Sequence, residues 1–134
     1  MKFINLMITS LLLWSAGFHL SMADTLVDPT HNLNGTDITY TYTSGRSYQV
    51  QFSSSGVQYR YLTGSKPDKW WGPYPYKAFE IEKNVFMASW FEEKLVDHVT
   101  LYINLERSTL YGSALLSGKH THFYGANILK IVQK

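Results

Sequence analysis

Eight short segments, at residues 36–43, 47–53, 57–63, 78–82, 85–92, 98–105, 109–116 and 122–132, alternate large apolar or aromatic residues with polar ones. They are rich in Tyr, Val, Phe, Ile and Thr, the side chains that fit a pleated, half-buried surface. Ser44-Gly45, Ser55-Gly56 and Lys83-Asn84 fall between successive segments and read as tight hairpin turns. Successive hairpins make sequence neighbours antiparallel partners. At eight strands such a meander closes into a cup that holds one small ligand. The expected fold is therefore all-β, a single eight-stranded antiparallel up-and-down barrel. Only residues 127–133 read equally well as helix or strand.

The chain opens Met1-Lys2 and runs from Phe3 to Leu20 without an acidic residue, ending Ser21-Met22-Ala23 before Asp24. One basic residue, a leucine-rich apolar stretch and small residues before the cut are the parts of an export signal. Ser15, Gly17 and His19 leave the apolar run short for a bilayer span, so cleavage after Ala23 is expected rather than a retained membrane anchor. The expected organisation is a signal peptide at 1–23, an extended lead-in at 24–34 and one domain at 35–134, in a periplasmic or secreted protein. Losing Lys2 and no acid would leave 11 basic against 10 acidic side chains. That near-neutrality, with cations scattered singly, argues against a nucleic-acid partner. There is no cysteine, so the exported domain must fold on its core alone.

Strand alternation marks a candidate site. Tyr40 and Tyr42 share one face of their segment, and Phe86, Ala88, Trp90 and Glu92 share one face of theirs. If both faces point inward, two phenols and a carboxylate line one pocket. A carboxyl group held beside Trp90 in apolar surroundings has its pKa raised, which makes it a proton donor near neutral pH. Charged side chains are otherwise rarely buried without partners, so the competing reading makes Glu92-Glu93-Lys94 a solvated strand end. Between Thr63 and Lys77 lies an aromatic and proline-rich stretch, read as a long loop that is either a lid or a plug for one barrel end. His120 and His122 share a face at a spacing that suits a metal, but with no third ligand the reading is a polar strand edge. No serine nucleophile elbow or phosphate-cradling glycine loop is present. Asn34-Gly35-Thr36 fits the glycosylation acceptor pattern, which recurs by chance.

From about Asn34 to Leu116 the chain resembles the MoaF-like proteins and their relatives, the bacterial phenolic acid decarboxylases. The resemblance is carried by Tyr40-Thr41-Tyr42-Thr43-Ser44-Gly45-Arg46-Ser47-Tyr48, Tyr59-Arg60, Trp70, Ser89-Trp90-Phe91-Glu92 and Leu110-Tyr111-Gly112. It implies a lipocalin-like barrel. For the decarboxylases it implies a cofactor-free active site at Tyr40, Tyr42, Lys69 and Glu92, with the tyrosines holding a hydroxycinnamic acid and the glutamate transferring a proton. Lys69 stands where those enzymes have arginine, and an ammonium cannot grip a carboxylate with two prongs. Those enzymes are also cytoplasmic.

The leading expectation is an exported small-molecule-binding barrel with ligand contacts from Tyr40, Tyr42, Trp70, Trp90 and Glu92, for a small planar or aromatic acid, using no cofactor and no metal. The alternatives are a carboxy-lyase acting on phenolic acids, and a protein-interaction module using the 64–77 loop. A homodimer is compatible with either.

Overall fold

The computed structural model describes residues 25–134, so the segment read as an export signal lies outside the described residues. Among them are nine strands and no helix: β1 Thr36–Tyr42, β2 Ser47–Ser53, β3 Gly56–Tyr61, β4 Trp70–Tyr74, β5 Tyr76–Glu82, β6 Val85–Glu92, β7 Asp97–Asn104, β8 Thr109–Leu116 and β9 His120–Gln133. All pair antiparallel in one sheet of order β4-β3-β2-β1-β9-β8-β7-β6-β5.

The order is a meander whose first and last strands meet. β9 is 14 residues long and resolves as strand throughout. Its first half pairs β8, from Leu116↔His120 to Thr109↔Asn127, and its second half pairs β1, from Tyr42↔Ala126 to Thr36↔Gln133. One long strand thus joins both halves of the sheet, and the nearly closed barrel has its seam between β4 and β5. Pro75 separates those two strands and has no N–H to donate, consistent with the ladder stopping there.

The expected strand count is corrected here from eight to nine. The additional strand, β4, lies inside the stretch read as a continuous loop and pairs β3 through Val57↔Tyr74, Tyr59↔Trp71 and Arg60↔Trp70. A glycine and two prolines within four residues hid it. Proline is tolerated on a sheet edge, where one side of the strand needs no donors, and Trp70, Trp71 and Tyr74 are strong strand formers.

Turn chemistry and alternation work as the residues dictate. Gly45, Gly56 and Asn84, at three of the hairpins, have φ of 87°, 127° and 59°, the left-handed region that glycine and asparagine enter most readily. In β1 every second residue, Thr36, Ile38, Tyr40 and Tyr42, is buried. In β6 Phe86, Ala88, Trp90 and Glu92 are buried while Met87 and Phe91 are exposed. The core fills one end of the barrel with Ile38, Phe52, Val57, Leu101, Ile103 and Leu110.

The lead-in belongs to this core. Leu33 is fully buried, and Thr30 N–H donates to Ala78 O at 2.9 Å, bringing the chain onto the free side of β5. The Tyr76 hydroxyl donates to Asn34 Oδ1 at 2.5 Å. Outside β1–β3 a polar ladder runs across the strands: Gln49 and Gln51 donate to Asp37, and Arg60 Nε donates to Gln49 Oε1 at 2.8 Å.

Candidate functional site

The inward residues at the other end of the barrel leave a small pocket. A cavity of about 90 Å³ is lined by the phenols of Tyr40, Tyr42, Tyr48, Tyr59 and Tyr61 and by Trp90. Its ionisable lining groups are Glu92, Asp97, Arg46 and His122. Two phenols arrive from β1, one from β2 and two from β3, each on the inward phase of its strand, while Trp90 and Glu92 close the facing wall from β6.

Glu92 is 1% exposed, and both its oxygens are used. Tyr59 OH donates to Oε2 at 2.9 Å, and Trp90 Nε1–H donates to Oε1 at 2.9 Å. Burial pushes the Glu92 carboxyl above its ordinary range, the Trp90 and Tyr59 hydrogen bonds pull the other way, and the Asp97 charge adds to the rise. Strand period explains the Trp90 bond, because residues two apart on one strand face the same way. The Tyr59 bond closes across the barrel between β3 and β6.

The phenols hold their protons firmly. Burial raises Tyr40 well above its ordinary value, with Tyr42 adding to the rise. Tyr42 is pushed up to about 12 by burial, against a hydrogen bond from Tyr40. Tyr59 is raised by burial and then by the charge of Glu92. Near neutral pH these are neutral groups that donate or accept hydrogen bonds. The rings pack tightly: Tyr40 meets Tyr42 edge-on at 5.2 Å between centroids and stacks on Tyr48 at 5.6 Å. Gly112 on β8 makes room for this, since a Cβ there would collide with the Tyr42 hydroxyl.

The positions of the sequence-derived residues divide. Tyr40, Tyr42, Trp90 and Glu92 line one cavity, although Glu92 is hydrogen-bonded to Tyr59 and Trp90 rather than to the Tyr40–Tyr42 pair. Lys69 and Trp70 do not line it. The Lys69 ammonium sits 3.7 Å from the centroid of the Trp71 ring, and Trp70 is on the outer face under the Arg60 guanidinium at 5.2 Å. Arg46 is the cavity's cation instead. The β1–β2 turn puts it there, clamped by Tyr42 N–H donating to Arg46 O at 2.9 Å.

Sequence reasoning also passed over Tyr48, Tyr59, Tyr61, Asp97 and His122 as lining groups. Inward phase on β2 and β3 was the signal for the tyrosines. His122, read from the sequence as part of a polar strand edge rather than a metal ligand, turns into the cavity wall. Its ring packs edge-on against Tyr42 at 4.6 Å, and its Nε2 is buried with no hydrogen-bond partner among the described residues. Burial and then the nearby Arg46 charge lower its pKa, favouring neutral imidazole. Ser89, the first residue of Ser-Trp-x-Glu, turns outward and ties β6 to β7 by donating to Val99 O at 3.0 Å. Among the described residues no group of three or more His, Cys, Asp or Glu side chains could hold a metal ion.

The sequence model of the MoaF N-terminal domain matches residues 14–118. The chain belongs to this family. The matched region takes in β1 to β8 and stops short of β9, the strand that joins the two halves of the barrel. No curated protein matches the chain. Among solved structures it is similar to a candidate beta-lactamase from Burkholderia vietnamiensis, at 14% identity and a TM-score of 0.64, over 75% of this chain and 95% of the other. At that identity the likeness speaks for the shared barrel alone.

Proposed function

We propose that this member of the MoaF N-terminal domain family is an exported small-molecule-binding barrel whose guest is a small planar or aromatic acid. The observation that carries the reading is one cavity lined together by five phenols, the Trp90 indole, the Glu92 carboxyl and the Arg46 guanidinium. Flat aromatic walls favour a flat guest, and a few fixed polar groups orient it. Glu92, already holding two donors, is a built feature rather than a stranded charge. Export rests on the residue pattern of the first 23 positions.

A carboxy-lyase acting on phenolic acids has weaker support. The cation that the resemblance implies, Lys69, lies over Trp71 and does not line the cavity. The test is calorimetric titration of residues 24–134 with small aromatic acids, with the ultraviolet band of p-coumaric acid followed in parallel. Saturable binding that weakens in Tyr42→Phe and Glu92→Gln is the expected result, without loss of the conjugated band. Affinities unchanged by both substitutions would remove the cavity from the account, and turnover would restore the lyase.

A further inference from the structure

The cavity does not stand alone. Beside it, between the β1–β2 turn and the β3–β4 loop, runs an open groove of about 630 Å³, and Arg46 and Tyr61 line both spaces. The two differ in charge. Glu92 and Asp97 line the cavity with Arg46, whereas the groove is lined by two cations, Arg46 and Lys66, and by no carboxylate among the described residues. The groove also contains Trp71, whose indole N–H is buried and has no hydrogen-bond partner among the described residues. A third cation, the Lys69 ammonium, lies 3.7 Å from that ring's centroid.

Size and charge point the same way. Benzene occupies an apolar cavity of roughly 150 Å³. A space of about 90 Å³ therefore takes one end of an aromatic acid and leaves the rest outside. An anionic end placed inward would face two carboxyl groups against the one guanidinium of Arg46; placed outward it meets that guanidinium and the Lys66 ammonium with no opposing acid among the described lining residues.

We propose that the guest's carboxylate stays in this outer groove against Arg46 and Lys66, while only the far end of its ring enters the cavity. This rests on the binding function proposed above and adds the guest's orientation and its class: a monoanionic aryl acid carrying its carboxylate beyond the ring. Arg60, the other cation of this region, is held by Gln49 and Trp70 on the outer face.

The test compares p-coumaric acid with its methyl ester, which keeps the ring and loses the charge, on the chain comprising residues 24–134. The acid is expected to bind roughly 10- to 100-fold more tightly than the ester, the effect of losing a charge-assisted contact. In Arg46→Gln/Lys66→Gln that preference is expected to vanish, with a thermal melt matching the wild type. Equal binding of acid and ester, or a preference that survives the double substitution, overturns the orientation and leaves the cavity reading standing. If neither compound binds, the cavity reading fails and the orientation falls with it. If Glu92→Gln and not Arg46→Gln removes the preference, the acid end points inward and the proposal is wrong.

Discussion

Tyr59 and Glu92, 33 residues apart in sequence, are joined inside the barrel by a hydrogen bond of 2.9 Å from the phenol to Oε2. Tyr59→Phe removes the donor and leaves a buried acceptor short of one partner. Stranding a buried polar group costs about 1–3 kcal/mol, so the urea midpoint should fall with an unchanged slope. A loss under about 0.5 kcal/mol, the size of an ordinary surface change, would mean that Glu92 finds its second partner elsewhere.

The raised pKa of Glu92 fixes the sign of a pH effect. Burial, its largest cause, places the folded value above the unfolded one. Well below the unfolded value the carboxyl is protonated in both states. As pH rises through the interval between the two, the unfolded chain releases the proton first and folding stability declines. Glu80 works in reverse: hydrogen bonds from the Asn32 side chain and the Asn84 backbone lower its pKa, so its contribution is lost as pH falls. In urea titrations across the acidic to neutral range, Glu92→Gln should flatten the decline on the higher-pH side, and Glu80→Gln the loss at low pH. An unaltered higher-pH slope in Glu92→Gln would contradict the assignment.

Gly112 and Tyr42 form a steric pair. Adding a Cβ at position 112 forces the Tyr42 phenol out of its place, and overpacking of this kind costs typically about 1–3 kcal/mol. Gly112→Ala should therefore lower the melting temperature and disturb binding. Because the clash is nearest at the hydroxyl, Tyr42→Phe in the Gly112→Ala background should recover part of the loss. Simple additivity of the two changes would show that the residues do not press on each other.

Leu33 carries the lead-in into the core. It is fully buried, and Leu33→Ala should cost about 2–5 kcal/mol, as buried leucine truncations do. Leu26→Ala, at a side chain 95% exposed, should leave stability unchanged in the same unfolding series. Equal effects from the two would mean the lead-in is not docked.

The strands were legible because period-two alternation and turn residues act locally. Tyr40, Tyr42, Trp90 and Glu92 could be assigned a face from their neighbours alone, and the hairpins at Gly45, Gly56 and Asn84 announced themselves through residues that tolerate positive φ. What stayed hidden is set by long-range pairing. β4 reads as a loop until its edge position makes Pro73 acceptable, and residues 127–133 become strand because β1 supplies the partner. The cavity's cation was hidden for the same reason. Lys69 and Arg46 are both exposed polar residues in the sequence, and only closure of the barrel places one at the cavity and the other over Trp71. Likewise Tyr59 is one of ten tyrosines until the barrel brings it to Glu92.

The most direct test follows the indole N–H signals of Trp70, Trp71 and Trp90 by nitrogen–proton NMR while p-coumaric acid is added to the chain comprising residues 24–134. Trp90 donates to Glu92 inside the cavity, Trp71 lines the adjoining groove and Trp70 lies on the outer face. Saturable shifts of the Trp90 and Trp71 signals, with Trp70 nearly still, are the expected result. Saturating shifts confined to Trp70, or no shift at Trp90 at any concentration, would contradict a guest held in this cavity.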